Sequence, residues 1–361
     1  MSINPDTYGA FLTTSHDPAL TQRRHRRDRL GALAVQLATV VVLAALLSIP
    51  VFLIASLAAW TPLPEGAWAR LGTLFAGTVK AATFALLVAV PLGIGAALFS
   101  ASFASPRFRG WFKPCLEILE AIPTVVLGLV AFATVAPWLK DSVATLLALV
   151  VAVPALLLAG GFAFGARTKR AARWLPLWLV PVLIAAIALL VAASASTRPL
   201  IAVTTPWNTL LIGLALGLAA VPLVFSIAED ALLLIPATHV QSALALGATR
   251  WQALASIVIP AARSGLIAAI VLGASRCLGE TMIVLMASGN TPLADTSPLD
   301  GVRTLSAELV LGLPEAAPPG GAYRFLLLAA LALFVLTFAL NLLAAHARAQ
   351  LHRRASRGAL A

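Results

Sequence analysis

Two ionisable residues, Arg276 and Glu280, lie four positions apart inside an apolar run that extends from about Ser264 to Ala287. Burying either charge alone in hydrocarbon costs about 2.5–3.5 kcal/mol on insertion scales, so this spacing predicts an ion pair on one helical face. Arginine offers a planar fork of donors that matches an oxyanion. We therefore expect Arg276 to compensate an oxyanion during passage, with Glu280 holding Arg276 and limiting how tightly the anion is held. The alternative is a buried pair that only fixes helix packing.

Lys80 and Thr281 are further candidates for a polar path. Lys80 lies about ten residues into another apolar run, 71–101, which places it about 15 Å deep at 1.5 Å per residue. A lysine at that depth is a functional-site candidate, although its long side chain can also reach the membrane surface. Thr281 and Asn290 would add neutral hydrogen bonds.

The segment before the apolar run that contains Arg276 is typical of a lever, meaning a helical hairpin that transmits force across an interface. An amphipathic helical pattern begins near Pro236, is interrupted at Gly247, and ends at Pro260. Trp251, Leu254 and Val258 are predicted to share one helical face. We expect a helical hairpin within about 229–262, and the alternative is an amphipathic helix lying on the lipid surface. The acidic pair at 229–230 is assigned to the end of the preceding span rather than to the start of the lever.

The composition places these candidates in a membrane protein. Hydrophobic residues make up 60% of the chain and the mean hydropathy is +0.96, which excludes an ordinary soluble globule. The net charge is +11, but the arginines cluster at the ends of apolar runs, as topology signals do. A nucleic-acid-binding protein would instead need a basic face with stacking aromatics. The two cysteines, Cys115 and Cys277, do not have metal-ligand spacing.

The fold class is predicted to be all-α, a polytopic transmembrane helical bundle of about eight spans. The apolar runs are at about 32–60, 71–101, 115–138, 143–165, 175–195, 207–228, 264–288 and 325–345. With the N-terminus inside, 18 of the 25 Lys and Arg residues fall on the inner face, which supports both the count and the orientation. The first run is about twice the length of a signal-peptide core, which favours an uncleaved anchor over a twin-arginine export signal.

The domains expected are a basic cytoplasmic segment (1–29), a transmembrane domain (30–346) and a basic cytoplasmic tail (347–361). The loop from Ser288 to Tyr323 is rich in proline and is predicted to be irregular and exposed on the outer face. Prolines at positions 91 and 123 are expected to bend or interrupt their helices.

A family motif lies in the predicted hairpin. The spacing EAA-x3-G-x9-I-x-L-P is kept in full by Gln241, Ser242, Ala243, Gly247, Ile257, Ile259 and Pro260. The first, second and sixth of these depart from the motif in residue type. The following run, 276–290, reads RCLGETMIVLMASGN, and 113–128 follows the pattern KPxxExxxxxPTVVLG. The hairpin resembles the EAA loop of ABC-importer permeases. The second run resembles the PstC-type permease of phosphate importers, whose PstA-type sister subunit usually reads GETAP.

This resemblance implies a type I ABC-importer permease fold, with the region at about 141–206 as a two-helix insertion into a six-helix core. It also implies that the hairpin docks in a groove of an ATPase. The residues expected at that contact are Gln241, Ala243, Gly247, Ala248, Trp251, Ile257 and Pro260. The implied partners are a PstA-like permease, a PstB-like ATPase dimer and a PstS-like phosphate-binding protein, in a bacterial inner membrane with both termini cytoplasmic.

The sequence does not contain the phosphate-binding motif G-x-x-x-x-G-K-[ST], and none of its four lysines follows a glycine. ATP and Mg²⁺ are therefore expected on a partner chain, with no cofactor in this one, and no enzymatic motif is found. Three alternatives remain open at this point. They are a permease for molybdate or sulfate, a passive anion channel, and a phosphate-status sensor.

Overall fold

The computed structural model describes residues 18–58, 63–139, 206–291, 297, 299–318 and 320–358. Two of the predicted spans, 143–165 and 175–195, lie outside the described residues, as does nearly all of the insertion at about 141–206. The chain divides into two compact units, Met1–Trp60 and Thr61–Ala361.

Within its described residues, the first unit contains one helix, α1 (Pro18–Ala58). Its residues 31–58 have a hydropathy of 2.8, and this stretch is about 42 Å long at 1.5 Å per residue, enough to cross a bilayer. The arginines between positions 23 and 29 belong to the same helix. The basic N-terminal segment is therefore helical from Pro18 and continuous with the span.

The described part of the second unit is built from helices. In chain order they are α2 (Ala67–Ser102), α3 (Pro106–Ala121), α4 (Thr124–Val130), α5 (Thr209–Leu233), α6 (Ala237–Ala245), α7 (Arg250–Ala253), α8 (Ile259–Gly279), α9 (Met282–Ala287), α10 (Leu305–Gly312) and α11 (Gly321–Gly358). The core of this part is formed by α2, α5, α8 and α11, and α5 is the most deeply buried of the described spans.

Small residues let α2 and α5 approach closely, as is common where helices pack in a membrane. Gly217 is the clearest case. A Cβ atom on Gly217 would lie 2.7 Å from the Cβ of Val88 and 2.8 Å from the carbonyl oxygen of Ala85. The second of these neighbours is backbone, which cannot move without displacing the helix.

We expect Gly217→Ala to destabilise the protein by about 1–3 kcal/mol, because the added methyl group overpacks the contact between α2 and α5. Gly95→Ala on α2 is the matched control, since a Cβ there meets nothing within 4 Å. Thermal unfolding of the purified variants in detergent would measure the difference. Equal melting temperatures would contradict the prediction.

The predicted span 115–138 is a broken element. Helix α3 ends at Ala121 and α4 begins at Thr124, and the segments Arg107–Ala121 and Thr124–Leu139 differ in direction by 83°. The break falls at Pro123, as expected, whereas Pro91 stays inside the continuous helix α2. After α4 the chain forms a π-helical turn, Ala131–Val135, and remains helical to Leu139.

Pro260 does not end the hairpin, contrary to the prediction. Helix α7 continues through a π-helical turn, Leu254–Val258, directly into α8, so 250–279 form one apolar helical segment. Pro260 lies in the first turn of α8, where its missing N–H is tolerated. The predicted continuous span 264–288 is also wrong in detail, because α8 ends at Gly279 and α9 begins at Met282.

The loop predicted to be irregular contains helix α10, whose first half is buried. Thr304 caps its first turn by accepting a hydrogen bond from the backbone N–H of Ala307. Leu305 packs in a cluster with Leu74 of α2 and Phe325 of α11. This local core, which proline content alone does not reveal, holds the segment in the bundle.

Among the described residues, five helices are long and apolar enough to cross a membrane, or six if the bent pair α3–α4 counts as one span. Each corresponds to one of the six predicted spans in this part of the chain. The chain is thus a multi-pass helical membrane protein. The total of about eight spans and the proposed domain boundaries stay predictions.

Candidate functional site

Two helix breaks lie side by side. One is at Ile122–Pro123, between α3 and α4, and the other is at Glu280–Thr281, between α8 and α9. Helix α4 packs against α9, which brings the breaks together. Both Ile122 (ψ 126°) and Glu280 (ψ 131°) have extended backbone. Non-helical backbone at membrane depth is tolerated only inside protein or along a water-filled cavity, so the paired breaks mark a candidate polar path.

Arg276, in the last turn of α8, forms an ion pair with Glu120, in the last turn of α3. Its Nη1 lies 3.2 Å from Oε1 of Glu120. The two side chains are 31% and 38% exposed, so the pair is accessible. This ion pair therefore connects the two interrupted helical elements, α3–α4 and α8–α9.

The predicted pair between Arg276 and Glu280 is wrong. That prediction required a continuous helix, but α8 ends at Gly279 and the chain turns to extended backbone at Glu280, which removes the i, i+4 relation. Sequence analysis did not single out Glu120. Its position, three residues before a proline in an apolar run, was the available signal.

Glu280 and Thr281 remain at the break. The backbone carbonyl of Glu280 accepts a hydrogen bond from the hydroxyl of Ser306 on α10, at 2.9 Å. The Glu280 side chain is half-buried, and the hydroxyl of Thr281 lies 3.4 Å from the carbonyl oxygen of Gly279. Asn290 instead stabilises the turn after α9, where its side-chain amide donates to the carbonyl of Leu285 at 2.8 Å.

Lys80 is half-buried on α2. Two residues earlier, the hydroxyl of Thr78 accepts a hydrogen bond from the backbone N–H of Leu305, at 2.9 Å, so this part of α2 packs against the start of α10. Lys80 is thus two residues beyond the point at which α2 contacts α10. A role for it in the path remains a prediction.

A second ionic cluster lies where α2, α3 and α5 meet near the hairpin. Glu229 is fully buried in α5, which agrees with its assignment to the end of a span. It accepts a hydrogen bond from the hydroxyl of Ser100. Its carboxylate also lies 3.6 Å from Nε of Arg109 and 3.4 Å from Nζ of Lys113. A buried carboxylate needs such partners, and here they tie α3 to α5.

A third ionic cluster lies on α10, near the N-terminal end of α2. The carboxylate of Glu308 is buried and pairs with Arg70 of α2. It also pairs with Arg303, whose Nε lies 2.6 Å from Oε2. Arg70 stacks over the ring of Phe325 on α11, 4.6 Å from its centroid. Sequence analysis missed this cluster, because Arg70 is distant in sequence from Glu308 and Glu308 lies in a loop predicted to be irregular.

The predicted hairpin is present. Helix α6 ends at Ala245, Gly247 has a left-handed φ of +87°, and α7 begins with a capping box between Thr249 and Gln252. A left-handed turn of this kind favours glycine, which accounts for Gly247 at the centre of the motif.

The apolar face proposed for the hairpin is divided by the π-helical turn. Leu254 and Val258 are buried in the bundle core, whereas Trp251 is 62% exposed. The predicted face of three side chains is therefore not available as one contact surface, because Leu254 and Val258 pack in the core. Leu246, at the tip, is 89% exposed.

The other residues expected at the hairpin contact differ in accessibility. Gln241 and Pro260 are exposed, Ala248 and Ile257 are half-buried, and Ala243 is buried. Gln241 lines a cleft of about 570 Å³ between the hairpin, the end of α5 and the end of α2. The accessible surface of the hairpin therefore includes its tip, Trp251 and the rim of this cleft.

These features define a class: a multi-pass helical membrane protein with paired helix breaks at a charged site and a helical hairpin at one end of the bundle. Residues 159–357 match the family described as the binding-protein-dependent transport system inner membrane component. Because the match covers more than half of the chain, the chain belongs to this family. It is a transport component rather than an enzyme, and it acts with other subunits of an importer.

Individual relatives are phosphate permeases by name. The chain is 28% identical over 271 residues to phosphate transport system permease protein PstC 2 of Mycobacterium tuberculosis, covering 74% of this chain and 70% of that protein. It is 29% identical to PstC of Mesorhizobium japonicum (77% and 72% covered) and 29% identical to PstC of Xylella fastidiosa strain 9a5c (79% and 75% covered).

Proposed function

We propose that this chain is the permease subunit of an ATP-driven importer of inorganic phosphate. The observation that carries the proposal is the accessible Arg276 between two helix breaks, in a chain whose relatives are named phosphate permeases. The guanidinium can bind two oxygens of one phosphate at once, and phosphate would otherwise enter an apolar bundle uncompensated. Glu280, Thr281 and Lys80 are proposed to line the same path.

The hairpin is proposed to couple this path to a separate ATPase. The hairpin would dock in a groove on a PstB-like dimer through its exposed apolar tip (Leu246), Trp251 and the rim of the cleft beside α6. Nucleotide binding would close the ATPase dimer and shift the hairpin. Because α7 and α8 form one helical segment, that shift would reach Arg276 and the break that follows it.

The proposed location is a bacterial inner membrane, with the hairpin and both chain termini in the cytoplasm. The distribution of Lys and Arg residues supports this orientation. A PstA-like permease would complete the path, and a PstS-like protein would deliver phosphate from the opposite side. ATP and Mg²⁺ would be bound by the ATPase, with no cofactor in this chain.

The test is uptake of labelled phosphate by cells that lack their own high-affinity importer and express this chain with its genomic neighbours. We expect ATP-dependent uptake that excess phosphate inhibits and that excess molybdate or sulfate does not. Inhibition by molybdate or sulfate would indicate a permease for that oxyanion. Anion current without ATP would indicate a passive channel.

A further inference from the structure

Glu120 forms an ion pair with Arg276 beside the proposed path. This ion pair is open to solvent rather than fully buried. The 3.2 Å contact joins one guanidinium nitrogen to one carboxylate oxygen, and both side chains remain about one-third exposed. A ligand that reaches Arg276 therefore meets the carboxylate of Glu120 at the same time. A ligand bound at this site would therefore interact with a cationic and an anionic side chain at the same time.

A carboxylate at this position treats two oxyanions differently. An ionised carboxylate only accepts hydrogen bonds, so it repels an anion that has no hydrogen to donate. Hydrogen phosphate and dihydrogen phosphate each carry a hydroxyl that can donate to it. Sulfate at neutral pH carries none. An arginine alone would bind both anions through the same fork of donors.

The structure fixes Glu120 more firmly than its exposure suggests. It is in the last turn of α3, and Lys113, seven residues earlier on the same helix, is tied with Arg109 to the buried Glu229 of α5. Helix α3 is thereby anchored to the core two turns before Glu120. Glu117, one turn before Glu120, is exposed and makes no ion pair among the described residues.

We propose that Glu120 is a specificity-determining residue of the Arg276 site, which selects a protonated oxyanion such as hydrogen phosphate over sulfate. The selection combines one hydrogen bond from the phosphate hydroxyl to Glu120 with repulsion of a fully deprotonated anion. Sites that bind a substrate hydroxyl reject analogues that lack it because a polar group is then left unpaired. The inference rests on the proposed function, since it assumes that the transported anion meets Arg276.

The experiment compares the binding of radiolabelled phosphate and radiolabelled sulfate to the complex in lipid nanodiscs. The complex contains this chain with its permease and ATPase partners but without the extracytoplasmic binding protein, whose own selectivity would mask the effect. In Glu120→Gln we expect the ratio of phosphate affinity to sulfate affinity to fall about tenfold, mainly through tighter sulfate binding. Glu120→Asp, which keeps the carboxylate, should retain the preference for phosphate.

Glu117→Gln is the matched control, being the same change on an exposed position of the same helix, and it should leave the ratio unchanged. An affinity ratio in Glu120→Gln equal to that of the wild type would overturn the inference. Loss of both affinities in parallel would also overturn it, because that is the result of a packing role. If phosphate bound equally to wild type and Arg276→Ala, the assignment of Arg276 itself would fail, which is a separate result.

Discussion

Arg276→Ala is expected to lower ATP-driven phosphate uptake by about 100-fold. Hydrogen bonds to a charged group contribute about 1.5–3 kcal/mol each, and Arg276 offers the anion more than one donor. The substitution also removes the positive charge that offsets the Glu120 carboxylate beside the path. Uptake of labelled phosphate, normalised to the amount of assembled complex in the membrane, measures the effect.

Two variants separate the role of Arg276 from packing. Arg276→Lys keeps the charge but loses the planar fork, so we expect an intermediate loss of uptake. Arg263→Ala is the matched control, because Arg263 is an exposed arginine on the same helix, α8. Normal uptake by Arg276→Ala, or failure of that variant to assemble, would support a purely structural ion pair.

The paired breaks show where sequence analysis was insufficient. Hydropathy predicted one span over 264–288, because Gly279, Glu280 and Thr281 include no proline and interrupt the apolar run only briefly. At the break, the backbone carbonyl of Glu280 accepts a hydrogen bond from Ser306 of α10, which is a tertiary contact. A helical periodicity cannot encode that bond.

The partner of Arg276 could not be predicted for a related reason. Local spacing offers only neighbours three or four residues away, and Glu280 was the one acidic residue in that window. Glu120 is 156 residues distant in sequence and meets Arg276 only because α4 packs against α9. The charge was correctly predicted to need a partner, but the identity of that partner depends on the three-dimensional fold.

The spans and the hairpin could be predicted from the sequence, because each depends on local chemistry. Apolar length gives the spans, and Gly247 supplies the left-handed turn that joins α6 to α7. The exception is the orientation of the side chains after Trp251. The π-helical turn at Leu254–Val258 cannot be predicted from the periodicity, nor can the burial of Leu254 in the core while Trp251 stays exposed.

That division makes Trp251 the residue to test in the hairpin. We expect Trp251→Glu to weaken ATPase binding by roughly 30-fold or more, because exposed tryptophans that insert into a partner are typical hot spots and a carboxylate would be desolvated there. The variant should still fold, since the side chain is 62% exposed and α7 is capped independently by Thr249 and Gln252. Co-purification of the ATPase in detergent, titrated against the permease, measures the loss.

Trp68→Glu is the matched control for this experiment. Trp68 is 67% exposed and lies in the first turn of α2, at the opposite end of that helix from the cleft beside the hairpin. The same chemical change there should leave ATPase binding intact. If both variants retained the ATPase, the hairpin would not be the docking element. A loss confined to Trp251→Glu would identify the hairpin as the connection between ATP hydrolysis and the charged site at Arg276.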